Sequence, residues 1–280
     1  MEKTEWHPAF CAAMRLELRD NPALEFYDEY NLNVDPLWVD LLIIHKPSDV
    51  KIDNQIGEFF RENNILEYKS PTDHGYNEYG VYQAMSYVYY YYDRYRTMDV
   101  TLSMVVSKSH FNLLKWFDRQ GIRYSRRHQG IYDISDLQFI KCQVIITEEI
   151  DNDNFRWLSA LTDKLTESKA RDVISTAYAM PQGENKRLAE AVVQAMHDAN
   201  SKLFEKIKED RTMASSLFEL MRPEIDKYAE KEADKKVKEE RTIMAQIVSA
   251  LVADKDNDTI VRELNCTLDQ IAPIRAAMGK

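Results

Sequence analysis

Two apolar segments of this 280-residue chain carry acidic and basic side chains where a core is expected. Asp40 lies inside an apolar run, and a carboxylate there is costly to bury unless it is paired or coordinates a cation. Glu67 and Lys69 occupy a second apolar segment, and residues i and i+2 of a strand project to the same face. Two carboxylates, with the Tyr68 carbonyl between Glu67 and Lys69, would make an all-oxygen site of the kind that suits Mg²⁺. The lysine ammonium would then orient or activate an attacking water.

Each of these segments also has a structural interpretation. An aspartate in an apolar run is commonly a strand-end residue or half of a satisfied buried pair, and a Glu-x-Lys tripeptide is common by chance. The chemical interpretation of Asp40 with Glu67 and Lys69 therefore requires that their two strands be neighbours in one sheet.

The elements that would position these residues form a mixed α/β region over residues 1–154. Strands interleaved with helices predict a mixed sheet with helices packed on its faces, an α/β fold. The predicted helices cover residues 7–20, 78–95 and 112–120, with a helical turn at 55–62. The predicted strands cover residues 24–30, 37–45, 65–68, 100–106, 122–125, 130–134 and 138–147.

Residues 155–280 predict an almost entirely helical C-terminal region. Residues 224–242 mix both charge signs densely, which is typical of a solvated helix with i,i+4 ion pairs. The apolar run 243–252 could continue that helix as a packing or self-association surface. Two short helices are expected around residues 265–268, and a helix-turn-helix that reads DNA is the less favoured interpretation of them.

Composition excludes several functional classes. The chain has only 7 glycines and contains no GxGxxG, GxxxxGK[ST] or GxSxG motif, so nucleotide-binding and hydrolase-elbow sites lack their usual support. It contains no HExxH and no CxxC, and its 3 cysteines lie far apart. Cysteines without a disulfide framework favour a reducing cytoplasm, and the lack of a long apolar run or signal-peptide pattern predicts no membrane-spanning helix and no membrane partner.

The net charge of −10 is concentrated in the first half of the chain. Residues 1–154 contain 16 Lys and Arg against 25 Asp and Glu, a net charge of −9, and residues 155–280 have a net charge of −1. A field of this sign does not attract nucleic acid, so such a partner needs a local basic patch or bound metal ions.

Two helical residues extend the pattern around Asp40, Glu67 and Lys69. Glu17 lies on the apolar stripe of the first predicted helix, although a glutamate at the edge of a stripe can also reach water. Gln83 and Tyr87 are i,i+4 neighbours on the tyrosine-rich helix. The simpler interpretation of that helix is that its aliphatic side chains face the sheet while tyrosines cover the rim.

The order of these residues resembles the PD-(D/E)xK nuclease superfamily: a helix with Glu, a strand with Asp, a strand with Glu-x-Lys, and a helix with Gln-x-x-x-Tyr. The segment FFRENNILEYKSP at residues 59–71 is similar to PD-(D/E)xK nuclease family transposases, relatives of the Rpn recombination-promoting nucleases. The resemblance covers the first half of the chain and implies that its α/β fold is restriction-endonuclease-like, a mixed sheet flanked by helices. The helical tail fits that group's general layout. No proline directly precedes Asp40, which departs from the motif's name.

This resemblance implies a role for each matching residue. Asp40 and Glu67 would be metal ligands, together with the carbonyl of Tyr68, and Lys69 would be the catalytic lysine. Glu17 would be an accessory acidic ligand, and Gln83 would help to position the lysine or the substrate. The implied cofactor is Mg²⁺, with Mn²⁺ as the alternative.

A DNA substrate requires contacts to its phosphates. Residues 119–128 contain four arginines, which makes them the candidate DNA-binding patch, although a solvated hairpin in an acidic domain is an equal alternative. These arginines are Arg119, Arg123, Arg126 and Arg127.

Together the residues and the resemblance predict a Mg²⁺-dependent DNA endonuclease of the transposase or recombination-promoting type. The alternative is a catalytically inactive nucleic-acid-binding or protein-interaction module that dimerises through its helical tail. A homodimer formed by the C-terminal helices is also compatible with the nuclease.

Overall fold

A mixed seven-stranded sheet lies at the centre of the first of two compact units, residues 1–221 and 222–280. The computed structural model describes residues 4–28, 41–73, 76–107, 113–135, 137, 139–151 and 153–278. The predicted fold class, a mixed sheet flanked by helices and followed by a helical region, is confirmed.

The strands are arranged so that three parallel strands occupy the middle of the sheet. The order is β1-β2-β3-β4-β7-β6-β5, in which β3, β4 and β7 are parallel and every other neighbouring pair is antiparallel. The strands are β1 (Glu25–Tyr27), β2 (Leu41–His45), β3 (Asn63–Lys69), β4 (Val100–Val106), β5 (Tyr124–His128), β6 (Ile131–Ile134) and β7 (Lys141–Ile146).

Most of the helices belong to the first unit and cover both faces of the sheet. The helices that begin in this unit are α1 (Trp6–Glu17), α2 (Glu78–Tyr95), α3 (Leu113–Gln120), α4 (Glu167–Ala179), α5 (Glu184–Ala199), α6 (Ser201–Ile207) and α7 (Arg211–Val252), and two short 3-10 turns lie at Gly57–Phe59 and Leu158–Ala160. The predicted boundary at residue 154 does not separate compact units, because α4, α5 and α6 share one hydrophobic core with α1.

Successive side chains of β3 point to opposite faces of the sheet, and each face has its own layer of hydrophobic core. Leu66 and Tyr68 pack with α1 and the later helices, whereas Ile65 packs with α2 and α3 on the opposite face. The parallel strands are buried on both faces, which is the usual state of strands covered by helices on each side. Glu67 and Lys69 share the parity of Ile65 and therefore lie on the α2 face.

Local signals in the sequence fix the ends of α2. The Asn77 side chain accepts a hydrogen bond from the Gly80 amide at 2.8 Å and so caps the first turn. Arg96 ends the helix in the left-handed conformation, with φ of 55°. The aliphatic residues expected to face the sheet, Val81, Met85 and Val88, are all buried there.

The second unit contains residues 222–252 of α7, followed by α8 (Asn257–Leu264) and α9 (Leu268–Ala277). Asp256 caps α8, and a capping box between Thr267 and Gln270 starts α9. Ile247, Ile260 and other apolar side chains form a small separate core in this unit. In the described residues, the longest apolar stretch of any helix falls short of what spanning a bilayer requires.

Candidate active site

Glu67 and Lys69 form a close ion pair on the α2 face of β3. The Lys69 ammonium donates to Glu67 Oε1 at 2.6 Å, as the i,i+2 spacing on one strand predicts. The Glu67 side chain is 6% exposed and that of Lys69 is 23% exposed. A charged pair in such a position carries a desolvation cost that only good geometry and further partners offset.

Tyr76 holds the backbone of this pair. Its hydroxyl donates to the Glu67 carbonyl at 2.8 Å, and its ring centroid lies 5.9 Å from the Lys69 ammonium. Burial, reinforced by the negative charge of Glu67, raises the pKa of the Tyr76 hydroxyl well above its usual value. Tyr76 therefore stays protonated and donates its hydrogen bond across the whole working pH range.

The pair lies at the carboxyl edge of the parallel strands. Beyond β3 the ladder continues, since the Ser107 amide donates to the Lys69 carbonyl at 3.3 Å and the Thr147 amide donates to the Val106 carbonyl at 2.9 Å. In open α/β sheets, ligands bind in the crevice outside the carboxyl ends of such strands. The location of Glu67 and Lys69 is therefore the one that this architecture favours for a site.

Asp40 lies outside the described residues. The residue that follows it, Leu41, is the first residue of β2 and pairs with Glu67 across the β2–β3 ladder. The two strands of the motif are therefore neighbours, as the chemical interpretation required. A regular extension of β2 would pair position 40 with Tyr68, on the face opposite Glu67, so a shared site requires the chain to leave regular strand geometry before Leu41.

The Tyr68 carbonyl is directed toward the β2 side of β3. The Lys46 amide donates to the Glu62 carbonyl at 2.8 Å, in the same antiparallel register that pairs Leu41 with Glu67. Because alternate residues of a strand bond to opposite neighbours, the even-numbered residues of β3 face β2. The Tyr68 carbonyl thus faces the end of β2 at Leu41, while its side chain stacks on Phe10 of α1 at 4.5 Å.

Glu17 lies elsewhere, which corrects its assignment as an accessory metal ligand. Its Oε1 accepts hydrogen bonds from the amides of Trp157 and Leu158 at 2.7 and 3.0 Å, and so caps the 3-10 turn Leu158–Ala160. Helix α1 packs on the face of β3 opposite Glu67. Burial raises the pKa of Glu17 to about 7, although the two amide hydrogen bonds oppose this shift. Its role in this structure is to join α1 to the turn.

Gln83 is half-buried on α2, the helix that begins beside the pair. Its carbonyl accepts a hydrogen bond from Ser86 Oγ at 2.7 Å, and its side-chain amide bonds to no other described residue. The proposed role of Gln83 in positioning Lys69 or a substrate stays a prediction.

The four arginines do not form one patch, because β5 sends two neighbours to opposite faces. Arg126 pairs with Tyr132 on the α2 face, whereas Arg127 donates to Asp133 Oδ1 at 2.6 Å and to Gln143 Oε1 at 2.7 Å, among side chains of the α1 face. Arg127 also pairs with Glu58 at 3.0 Å and is only 19% exposed. This corrects the assignment of Arg127 as a DNA contact: it is a structural clamp.

Arg119 and Arg123 are exposed, as is Arg126. Arg119 lies in the last turn of α3, and Arg123 precedes β5, the edge strand of the sheet far from Glu67. Four strand spacings separate β3 from β5, which is about 19 Å. Any substrate that contacts both regions must therefore span much of the sheet.

No family model, curated protein or solved structure matches the chain. Chemistry must therefore be argued from the residues themselves. Across the described part of the chain, no three His, Cys, Asp or Glu side chains cluster as metal ligands. Glu67 supplies one buried carboxylate to such a site, and a second would have to come from Asp40.

Tyr76 is the site residue that sequence reasoning missed. It immediately precedes the Asn77 cap of α2, a position without hydrophobic periodicity. The one signal in the sequence is Asn77, which caps the start of α2 and so fixes where Tyr76, the residue before it, meets β3.

Proposed function

We propose that this chain is a divalent-metal-dependent nuclease whose reacting centre is built on Glu67, Lys69 and Asp40. The observation that carries the proposal is the Glu67–Lys69 contact of 2.6 Å at the carboxyl edge of the parallel strands, opposite the first residue of β2. An acid and an ammonium are held together at the end of β3, and the neighbouring strand β2 begins directly after an aspartate. This combination matches the chemistry of phosphodiester hydrolysis.

The donor set fits Mg²⁺ or Mn²⁺ if Asp40 joins Glu67. Glu67 would hold the ion with one carboxylate and Asp40 with a second, and the Tyr68 carbonyl faces the β2 side of β3. A bound ion of this kind polarises a phosphate oxygen and lowers the pKa of a coordinated water.

Lys69 would act on the substrate directly. An ammonium has three donors, and among the described residues Lys69 uses one of them on Glu67. The remaining donors can hold a phosphate oxygen and offset the negative charge that develops on it. Tyr76 would position the pair by fixing the Glu67 backbone.

Plasmid nicking in Mg²⁺ tests this proposal. We expect Asp40→Ala, Glu67→Gln and Lys69→Ala to lose nicking activity while wild type and Glu148→Gln retain it. Glu148 is a suitable control because it is an exposed acid just beyond β7, at the same edge of the sheet. Equal nicking by all five proteins would reject the assignment.

The alternative, a binding module without catalysis, has one observation in its favour. The Glu67 carboxylate is almost fully buried and already paired, as a purely structural ion pair would be. Under this alternative, wild type would bind DNA in a salt-dependent way but would neither bind Mn²⁺ nor cut.

We also propose that the protein self-associates through its C-terminal helices. Met244, Val248 and Val252 are 53%, 40% and 64% exposed at i, i+4 and i+8 on α7, a spacing that puts them on one face. Light scattering should show a dimer that Met244→Glu/Val248→Glu converts to a monomer and that Gln246→Glu leaves intact. A monomeric wild type at high concentration would exclude this association.

A further inference from the structure

The outward face of α2 carries a row of exposed tyrosines. Tyr79, Tyr82, Tyr89 and Tyr90 are 73%, 51%, 43% and 50% exposed, and their spacing places them on one side of the helix. Large aromatic side chains are costly to leave in water when they have no ligand, and a row of them marks an interaction surface. We call these four residues the tyrosine row.

Helix α2 leads from the Glu67–Lys69 pair along the whole length of β3. At its start, Tyr76 bonds to the Glu67 carbonyl, and near its end the Tyr91 hydroxyl donates to Asn63 Oδ1 at 2.9 Å. Asn63 is the first residue of β3, so the helix runs antiparallel to that strand. The tyrosine row is therefore continuous with the pair and extends away from it.

Cations lie beside the row on the side of α3. The Tyr82 ring meets the Trp116 ring edge-on at 6.2 Å, which places α3 next to the row. Lys115 and Arg119 are exposed on α3, four residues apart, and their helical positions flank Trp116 on the side away from the core. Arg126 is exposed on the same face of the sheet.

We infer that the tyrosine row is a stacking platform for the unpaired bases of a single-stranded nucleic acid, with the α3 cations following its phosphates. Aromatic side chains beside a basic border are how single strands are held without sequence preference. Glu78 and Asp93, at the two ends of α2, limit the length of strand that this face accepts. A protein partner would use the tyrosines but has no need of the cations or of continuity with Glu67.

This inference rests on the proposed nuclease for its meaning but is tested separately, by binding without metal. The probe is a fluorescently labelled oligothymidylate of about 20 nucleotides, in buffer containing EDTA, with a duplex of equal length for comparison. Wild type should prefer the single strand. Tyr79→Ala/Tyr90→Ala should weaken that binding about 30-fold or more, since each lost stack costs about fivefold or more. Alanine preserves helix propensity, so α2 should persist.

The control is Tyr178→Ala, the same change at a tyrosine that is 47% exposed on α4, and its affinity should stay within about twofold of wild type. Equal binding by the double variant, or no binding by wild type, would overturn the platform. A wild-type dimer that the double variant dissociates would overturn it in favour of a second copy of the chain.

The outcomes also separate the platform from the nuclease. Binding that depends on the tyrosines, without any metal-dependent cutting, would support the platform and reject the nuclease. Cutting that is unaffected by the tyrosine substitutions would reject the platform alone.

Discussion

Two partly buried cations on opposite faces of the sheet, Arg127 and Lys69, are held in very different ways. Arg127 donates to Asp133, Gln143 and the Gln55 carbonyl, pairs with Glu58, and stacks over the Phe59 ring at 4.9 Å. Lys69 has one hydrogen-bond acceptor among the described residues, Glu67.

The difference teaches which buried charge is available for chemistry. Two acids, a side-chain amide and a backbone carbonyl of the protein itself hold the guanidinium of Arg127, so that side chain fixes the 3-10 turn Gly57–Phe59 to the sheet. Among the described residues, Lys69 has unused donors and keeps part of its surface exposed at the carboxyl edge of the parallel strands, where a ligand can reach it. A cation that several groups of the protein hold in place has a structural role. A cation with unused hydrogen-bond donors at a strand end is a candidate for function.

The largest expected effect is on cleavage. Lys69→Ala should reduce plasmid nicking by about 10³-fold, because an ammonium that stabilises transition-state charge is lost. Comparable nicking by Lys69→Ala and wild type would show that Lys69, like Arg127, has a structural role and no role in cleavage.

Arg127→Ala should act on stability. It would leave Asp133 and Gln143 without their donor, at a cost of about 3 kcal/mol in the free energy of unfolding measured with urea. Arg126→Ala, the neighbouring change on the exposed side of β5, should cost less than about 0.5 kcal/mol. If the two variants were equally stable, Arg127 would not be a clamp.

Glu17 supplies a test by pH. Its pKa of about 7 lies above the value of 4.5 expected in the unfolded chain, so the folded state binds the extra proton between those values. The stability of wild type should therefore fall as pH rises from about 4.5 through 7, by about 3 kcal/mol in total. Glu17→Gln accepts the same two amide hydrogen bonds without a charge and should lack this component. A pH profile of Glu17→Gln that parallels wild type would contradict the assignment.

The smallest expected effect concerns Arg126 as a phosphate contact. Arg126→Ala should reduce the slope of log affinity against log salt by about 1 for DNA, while the fold is unchanged. An unchanged slope would show that Arg126, and with it this part of β5, does not contact DNA phosphates.

How far the sequence predicts this molecule depends on how local the determining contacts are. The bounds of α2 and β4 follow from caps and periodicity, and the Glu67–Lys69 contact follows from strand alternation. The partner of Glu17 is 140 residues away, so an apolar stripe could show that Glu17 is buried but not what it bonds.

The prediction of one arginine patch at residues 119–128 is wrong for a different reason. Four cations close in sequence predict one patch, but consecutive strand residues alternate faces, and a register shift between Arg126 and His128 alters the ladder further. Arg127 contacts two acids and a side-chain amide on the α1 face of the sheet. Composition alone cannot distinguish that arrangement from a solvent-facing patch.

Calorimetric titration of Mn²⁺ into the intact protein tests the central claim, that Glu67 and Asp40 share a divalent cation beside Lys69, most directly. We expect wild type and Glu148→Gln to bind one ion with equal affinity, and Glu67→Gln and Asp40→Ala to lose that binding while remaining folded. The same heat from all four proteins, or none from wild type, would contradict it.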